Sequence, residues 1–190
     1  MPAVDAASDR GFTLVEVLVA AALLIVAAAG VAQLVAVAAR ANRIARGQAK
    51  TTMMAVEKME QLRSLSWSYD ESGGLRSDSS TDVSRVPATT GGAGLTATPA
   101  GSLERNVGGC VDYLNGAGQW VGTGTTPPVT AVYVRRWAVL PLEADPSHSR
   151  VLVVLAASLD EEHELATSPR PRLPQDTLLV ALKTRQLGTP

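Results

Sequence analysis

The stretch DRGFTLVEVLVAAALLIVAAAGVAQLVAVAAR, from Asp9 to Arg40, decides the fold. Between Val17 and Ala39 only Gly30 and Gln33 interrupt its apolar residues. Its alanines and leucines favour a helix, which at about 1.5 Å per residue would be roughly 35 Å long. The hydrocarbon core of a bilayer is about 30 Å thick, so this helix can cross a membrane once. A cleaved secretory signal has a shorter apolar core, and we expect this segment to be retained.

The net charge and the cysteine content of the chain limit its functional class. Its 190 residues carry a net charge of −1, so the whole molecule shows no basic footprint for nucleic acid. Its one cysteine, Cys110, cannot form an intramolecular disulfide, and we interpret it as a small apolar residue of the core. The basic residues are concentrated directly after the apolar segment, at Arg40, Arg43, Arg46 and Lys50.

The helix is predicted to continue well past the apolar segment. No proline occurs between Arg40 and Ser66, and from Ala55 to Leu65 apolar residues recur at steps of three and four. The charged residues of this part, from Glu57 to Arg63, fall mostly off that apolar side. The predicted organisation is a short leader at 1–11, a membrane-spanning helix at 12–39, its amphipathic continuation at 40–66 and a globular β-rich domain at 67–190.

The first half of the globular domain, 67–128, is rich in glycine, serine and threonine and is expected to be variable. Short strands are predicted at Ser102–Val107 and Cys110–Leu114, with a tight hairpin around Asn115–Gly118.

The second half, 129–190, contains three β-rich runs: VTAVYVRRWAVLPL, RVLVVLAAS and TLLVALKTR. The nine residues Pro141–Ser149 can close an antiparallel hairpin between the first two runs, while the proline-rich link before the third is a surface loop. An apolar sheet face needs a cover, and the apolar side of Ala55–Leu65 is the best candidate. The predicted fold class is therefore α+β, a long N-terminal helix packed against an antiparallel sheet.

The motif RGFTLVEVLVA resembles the N-terminal signal of type IV pilins and type II secretion pseudopilins. The resemblance implies that a prepilin peptidase cuts between Gly11 and Phe12, that Phe12 is then N-methylated, and that Glu16 acts in assembly. It also implies a structural subunit, not an enzyme, whose helix contacts membrane lipid and other pilin or pseudopilin subunits. The strand sequences are similar to those of minor pilins of the type IV pilus modification group, and the lack of proline between Phe12 and Ala39 favours a minor pilin or pseudopilin. Pilus and secretion pseudopilus are not separated by the sequence.

Two signals disagree on orientation. The family places the C-terminal domain outside the cytoplasmic membrane, in the periplasm and then in a pilus or pseudopilus. The positive-inside rule, applied to Arg40–Lys50, places it in the cytoplasm. We give the motif precedence because it specifies a processing event that requires a cytoplasmic leader.

Glu16 has two interpretations. As a residue near a helix end, it is an interfacial glutamate that reaches water, since a carboxylate at the bilayer centre costs about 2.5–3.5 kcal/mol. If the chain is cut before Phe12, a new ammonium group appears one helical turn away, and an opposite charge at such a distance favours the ionised carboxylate. In the filament that the family implies, Glu16 of an incoming subunit would meet the Phe12 amine of a neighbour.

Other candidate sites have ordinary explanations. The acidic run Asp160–Glu164 is interpreted as a solvated loop, and His148 as a residue of a polar turn. Arg135 and Arg136 beside Trp137 are too little for a nucleic-acid interface. No nucleophile elbow, phosphate loop or zinc spacing occurs, so no metal, cofactor or catalytic residue is predicted. The alternative to a filament subunit is a membrane-anchored enzyme or ligand-binding protein with an uncleaved helix.

Overall fold

A computed structural model describes residues 12–70, 72–78, 80, 94–159 and 173–185. The chain divides into two units, Met1–Arg43 and Ile44–Pro190. One helix, α1 (Leu14–Ser64), passes through both. The predicted helix, Phe12 to about Ser66, is thus confirmed to within two residues at each end.

In the described part of the second unit, seven strands follow the helix and form two sheets. A two-stranded sheet pairs β1 with β2, and a five-stranded antiparallel sheet has the order β4-β3-β5-β6-β7. The strands are β1 (Trp67–Tyr69), β2 (Leu75–Ser77), β3 (Val111–Leu114), β4 (Trp120–Thr123), β5 (Tyr133–Leu142), β6 (Asp145–Ser158) and β7 (Thr177–Thr184).

The core of the second unit lies between the C-terminal part of α1 and one face of the large sheet. Met54, Ala55, Met59, Leu62 and Leu65 from the helix side are 0–5% exposed. They form one cluster with inward residues of the sheet, among them Trp137, Val139, Leu152, Val154 and Ala156. The α+β fold class and the predicted cover of the sheet are therefore confirmed.

The opposite face of the sheet has a smaller core of its own, formed by Val111, Tyr113, Val134, Ala157 and Leu159. The strands β3 and β5 are consequently buried on both faces. Further along this face, towards the edge strand β7, Val180 and Leu182 are 62% and 56% exposed.

The predicted hairpin around Asn115–Gly118 is confirmed. The side-chain oxygen of Asn115 accepts hydrogen bonds from the N–H groups of Ala117 and Gln119, both at 3.0 Å. Gly118 has φ +81°, a conformation that side chains rarely adopt, so its place in the turn depends on glycine.

Two other local predictions are corrected. The strand predicted at Ser102–Val107 is a turn, because Gly101 O accepts from the N–H of Arg105 at 3.0 Å and the Ser102 hydroxyl donates to Pro99 O at 2.6 Å. The loop predicted at Pro141–Ser149 is mostly strand, since β5 and β6 pair as far as Leu142 and Asp145. Only Glu143 and Ala144 remain to make the turn.

The start of β7 and its end are both tied to the helix. The Thr51 hydroxyl lies 2.6 Å from Gln175 O and 2.9 Å from the Thr177 hydroxyl. At the other end Lys183 donates to the carbonyls of Arg63 and Leu65, where the helix stops. A cation at a helix C-terminus pairs with carbonyls that have no partner within the helix. The last described strand therefore runs alongside the helix and fixes its position on the sheet.

Candidate functional site

The start of α1 is capped by a side chain. The Thr13 hydroxyl accepts a hydrogen bond from the Glu16 N–H at 3.2 Å, and Thr13 O accepts from Val17 N–H at 3.2 Å. Thr13 is thus the N-cap and Glu16 the third helical residue, the spacing of a capping box. The sequence pattern Thr-x-x-Glu at Thr13–Glu16 carries this signal.

This geometry places the predicted site residues with respect to the helix. Phe12 precedes the cap and is 81% exposed, and Glu16 lies exposed in the first turn, where the helix dipole favours a negative charge. Gly11 lies outside the described residues. A chain cut before Phe12 would therefore begin just ahead of the helix, with its ammonium group within about one turn of Glu16.

The apolar surface that follows is exposed throughout the described residues of the first unit. Every described residue from Phe12 to Arg43 is exposed, including large apolar side chains such as Leu24, Ile25 and Leu34 at 68–71%. The helix is long and apolar enough to cross a membrane. An apolar surface of this size is stable only against lipid or against other apolar helices.

In the second unit a buried ionic network joins the helix to the sheet. Asp112 on β3 accepts two hydrogen bonds from Arg135 on β5, at 2.8 and 2.9 Å, and lies 3.4 Å from Lys58 Nζ on the helix. The side chains of these three residues are 1–3% exposed. Arg135 also donates to Met54 O and to Glu57, both at 3.2 Å.

Each charge of this network has partners, which is the condition for burying it. Lys58 also lies 3.9 Å above the centre of the Trp137 ring, a cation–π contact that strengthens away from water. The charged residues from Glu57 to Arg63 are mostly exposed, as predicted, and Lys58 is the exception at 0% exposed. The network fixes both the rotation of the helix and its position along the sheet.

The remaining candidates behave as the ordinary explanations predict. Arg135 and Arg136 are 2% and 6% exposed, so both guanidinium groups are buried within the second unit. The His148 ring is exposed, and its Nδ1 lies 2.8 Å from Asp145 Oδ1. The hydrogen bond between them is the main reason why the pKa of Asp145 is lowered. Cys110 is buried, and burial raises the pKa of its thiol.

No group of three or more potential metal ligands occurs in the part of the chain that the structure describes. The acidic run Asp160–Glu164 lies outside those residues.

Comparison with known proteins gives one match. Residues 7–32 match the model of the prokaryotic N-terminal methylation motif. Neither a curated protein nor a solved structure matches the chain significantly. The matched range includes the capped helix start and much of the exposed apolar surface, and it supports a pilin or pseudopilin that is processed by a prepilin peptidase and assembles with other such subunits.

Proposed function

We propose that this protein is a minor pilin or pseudopilin, a structural subunit of a type IV pilus or a type II secretion pseudopilus. The observation that carries the proposal is that a single helix combines two features. Its first part exposes an uninterrupted apolar surface directly after the methylation motif, and its last part is the cover of a compact α+β unit. A filament subunit requires both: an apolar helix to bundle with its neighbours and a folded unit to display.

The absence of proline favours a minor subunit. Bulk pilins of the family often carry a proline that loosens the apolar helix, and none occurs between Phe12 and Ala39. Gly30 is the one weak point of the segment and costs about 1 kcal/mol relative to alanine.

The test of the proposal is the mature N-terminus. Protein from cells with a prepilin peptidase should lack Met1–Gly11 and carry a methyl group on the Phe12 amine, as measured by intact mass and N-terminal sequencing. Gly11→Val should block cleavage, because a side chain there obstructs close approach of the peptidase to the backbone. Gly30→Val is the matched control, since a Cβ at Gly30 meets nothing within 4 Å. Full-length wild-type chain in the membrane of these cells would overturn the proposal in favour of an uncleaved anchor.

The orientation of the second unit is a separate part of the proposal. We place it outside the cytoplasmic membrane, although Arg40, Arg43, Arg46 and Lys50 follow the apolar segment. Fusions of alkaline phosphatase after Pro190 should be active and fusions of a cytoplasmic reporter inactive. The opposite pattern would show that the basic residues set the topology.

A further inference from the structure

A cluster of aromatic rings and cations lies where α1 ends and β7 ends. The Trp67 ring has the Arg150 guanidinium carbon 4.4 Å from its centre and that of Arg185 3.9 Å from it. Arg185 also lies 4.9 Å from the centre of the Tyr69 ring, which is next to His148. We refer to Trp67, Tyr69, Arg150 and Arg185 as the arginine cluster.

Two positive charges on one indole ring repel each other, and the described contacts supply no carboxylate for either. Arg150 donates to the carbonyls of Leu95, Pro146 and Ser149. The Arg185 Nε and the Trp67 Nε1 are buried and have no hydrogen-bond acceptor. Burial, and after it the charge of Arg185, lowers the pKa of Arg150, as expected for neighbouring cations without a counterion.

The nearby acids of the described chain are already engaged. Asp145 is paired with His148, and Asp78 accepts a hydrogen bond from the Ser66 N–H at 2.5 Å. The other cation of this region, Lys183, is bound to the carbonyls that end the helix. Among the residues that the structure describes, the arginine cluster is therefore net positive, and a further anion would stabilise it.

The aromatic rings narrow the class of ligand. Trp67 is 6% exposed and holds guanidinium groups against its ring, so it offers no open face on which a nucleobase could stack. A ligand can therefore interact with the N–H donors and the positive charge of the two guanidinium groups. This chemistry suits a compact oxyanion, and arginine forks match the two oxygens of a carboxylate.

The acidic run Asp160–Glu164 is a source of carboxylates within this sequence, but it cannot reach the cluster of its own molecule. Arg185 N–H donates to His148 O, so Arg185 lies beside the beginning of β6, while the acidic run begins directly after Leu159 at the other end of that strand. Eleven positions of strand from 148 to 159 span roughly 36 Å. Five fully extended residues after Leu159 reach about 18 Å.

We propose that the arginine cluster binds the acidic run Asp160–Glu164 of a second copy of this chain. Opposite charges at the two ends of one strand allow a head-to-tail contact, which can repeat from copy to copy to give a closed ring or an open filament. The place of this contact in a filament rests on the proposed function, whereas the binding itself does not.

The experiment measures binding of a labelled peptide to the full chain in nonionic detergent by fluorescence polarisation. The probe is SLDEEHELA, residues 158–166, and the matched control peptide SLNQQHQLA has amides in place of its carboxylates. The acidic peptide should bind at least about tenfold more tightly, as expected for charged hydrogen bonds, and added salt should weaken it. Equal binding of the two peptides, or no binding of either, would overturn the proposal.

Variants locate the site. Arg185→Gln should weaken binding of the acidic peptide about tenfold, and Arg185→Lys, which keeps the charge, should recover part of it. Arg46→Gln removes the same charge from the exposed helix surface and should leave binding unchanged. If Arg46→Gln lost binding and Arg185→Gln did not, the acidic run would bind the helix and the proposal would be refuted. Binding of inorganic phosphate without any binding of the peptide would also refute it. If Arg185→Gln does not fold, the comparison of the two peptides on the wild-type chain still decides the question, and none of these results depends on cleavage of the leader.

Discussion

Replacing Asp112 by alanine tests whether the buried network holds the helix on the sheet. The Asp112 carboxylate accepts two hydrogen bonds from Arg135 and lies 3.4 Å from Lys58 Nζ. Without it two cations remain in a site that is almost closed to water, where Arg135 keeps its contact with the half-exposed Glu57 and Lys58 keeps its contact with the Trp137 ring. Removing one member of a buried pair typically costs about 3–5 kcal/mol. For a chain of this length that corresponds to a loss of roughly 6–20 °C in melting temperature.

The assay is thermal unfolding of the full chain in detergent, followed by the near-ultraviolet circular dichroism of the tryptophans, because Trp137 lies against Lys58 in the network. Glu57→Gln is the control: its carboxylate also contacts Arg135 but is 56% exposed, so its loss should cost less than about 1 kcal/mol. Lys58→Met should be tolerated better than Asp112→Ala, since it removes a buried charge and leaves Asp112 with its two bonds from Arg135. Equal melting temperatures for Asp112→Ala and Glu57→Gln would refute the reasoning.

Three further predictions concern the helix and the core. Leu62→Asp should destabilise the second unit by several kcal/mol in the same assay, because Leu62 is 0% exposed. The control is Met53→Asp, which should change stability by less than about 0.5 kcal/mol because Met53 is 64% exposed. Glu16→Ala should leave leader removal intact but lower the association constant with other subunits, followed by crosslinking, about a hundredfold or more, because an ammonium group would then lie unpaired in the helix bundle. Normal crosslinking of both Glu16→Ala and Glu16→Gln would show that Glu16 is an interfacial residue only. Cys110 should not react with iodoacetamide at pH 8 until the protein is unfolded, because burial raises the pKa of the thiol and so lowers its thiolate fraction, and intact mass would reveal early labelling.

Much of the fold follows from periodicity. Helical spacing from Ala55 to Leu65 identifies the side of α1 that covers the sheet, because burial of one face is the physical cause of that spacing. Strand β5 is buried on both faces, so its sequence does not single out the face that the helix covers. The second β-rich run, RVLVVLAAS, is apolar at positions of both parities, which is typical of a central strand, and β6 does lie between β5 and β7.

The ionic network could be only half predicted. Arg135 occupies an inward position between Tyr133 and Trp137, and a buried guanidinium requires an acidic partner. The identity of that partner depends on the register of β3 against β5, in which Asp112 pairs with Arg135, and no periodicity contains this information. Lys58 was missed for a related reason: its buried position is made acceptable by Asp112, which is distant in sequence.

The strand wrongly predicted at Ser102–Val107 illustrates a local competition. A stretch with apolar residues at intervals can form a strand, but Gly101 with φ +80° and the Ser102 hydroxyl offer the backbone a turn instead. Short segments of this kind are decided by such hydrogen bonds more than by pattern.

The ties between α1 and β7 have a consequence for the order of folding. The Thr51 hydroxyl and Gln175 O are 124 residues apart in sequence, and Lys183 and Arg63 are 120 apart. Contacts that close such long loops form late and slowly, since the entropy of loop closure opposes them until both partners are present. While β7 is still missing from a growing chain, α1 can already pack on β5 and β6, but neither tie can form. Addition of β7 is therefore the step that closes both long loops and locks the end of the helix on the sheet.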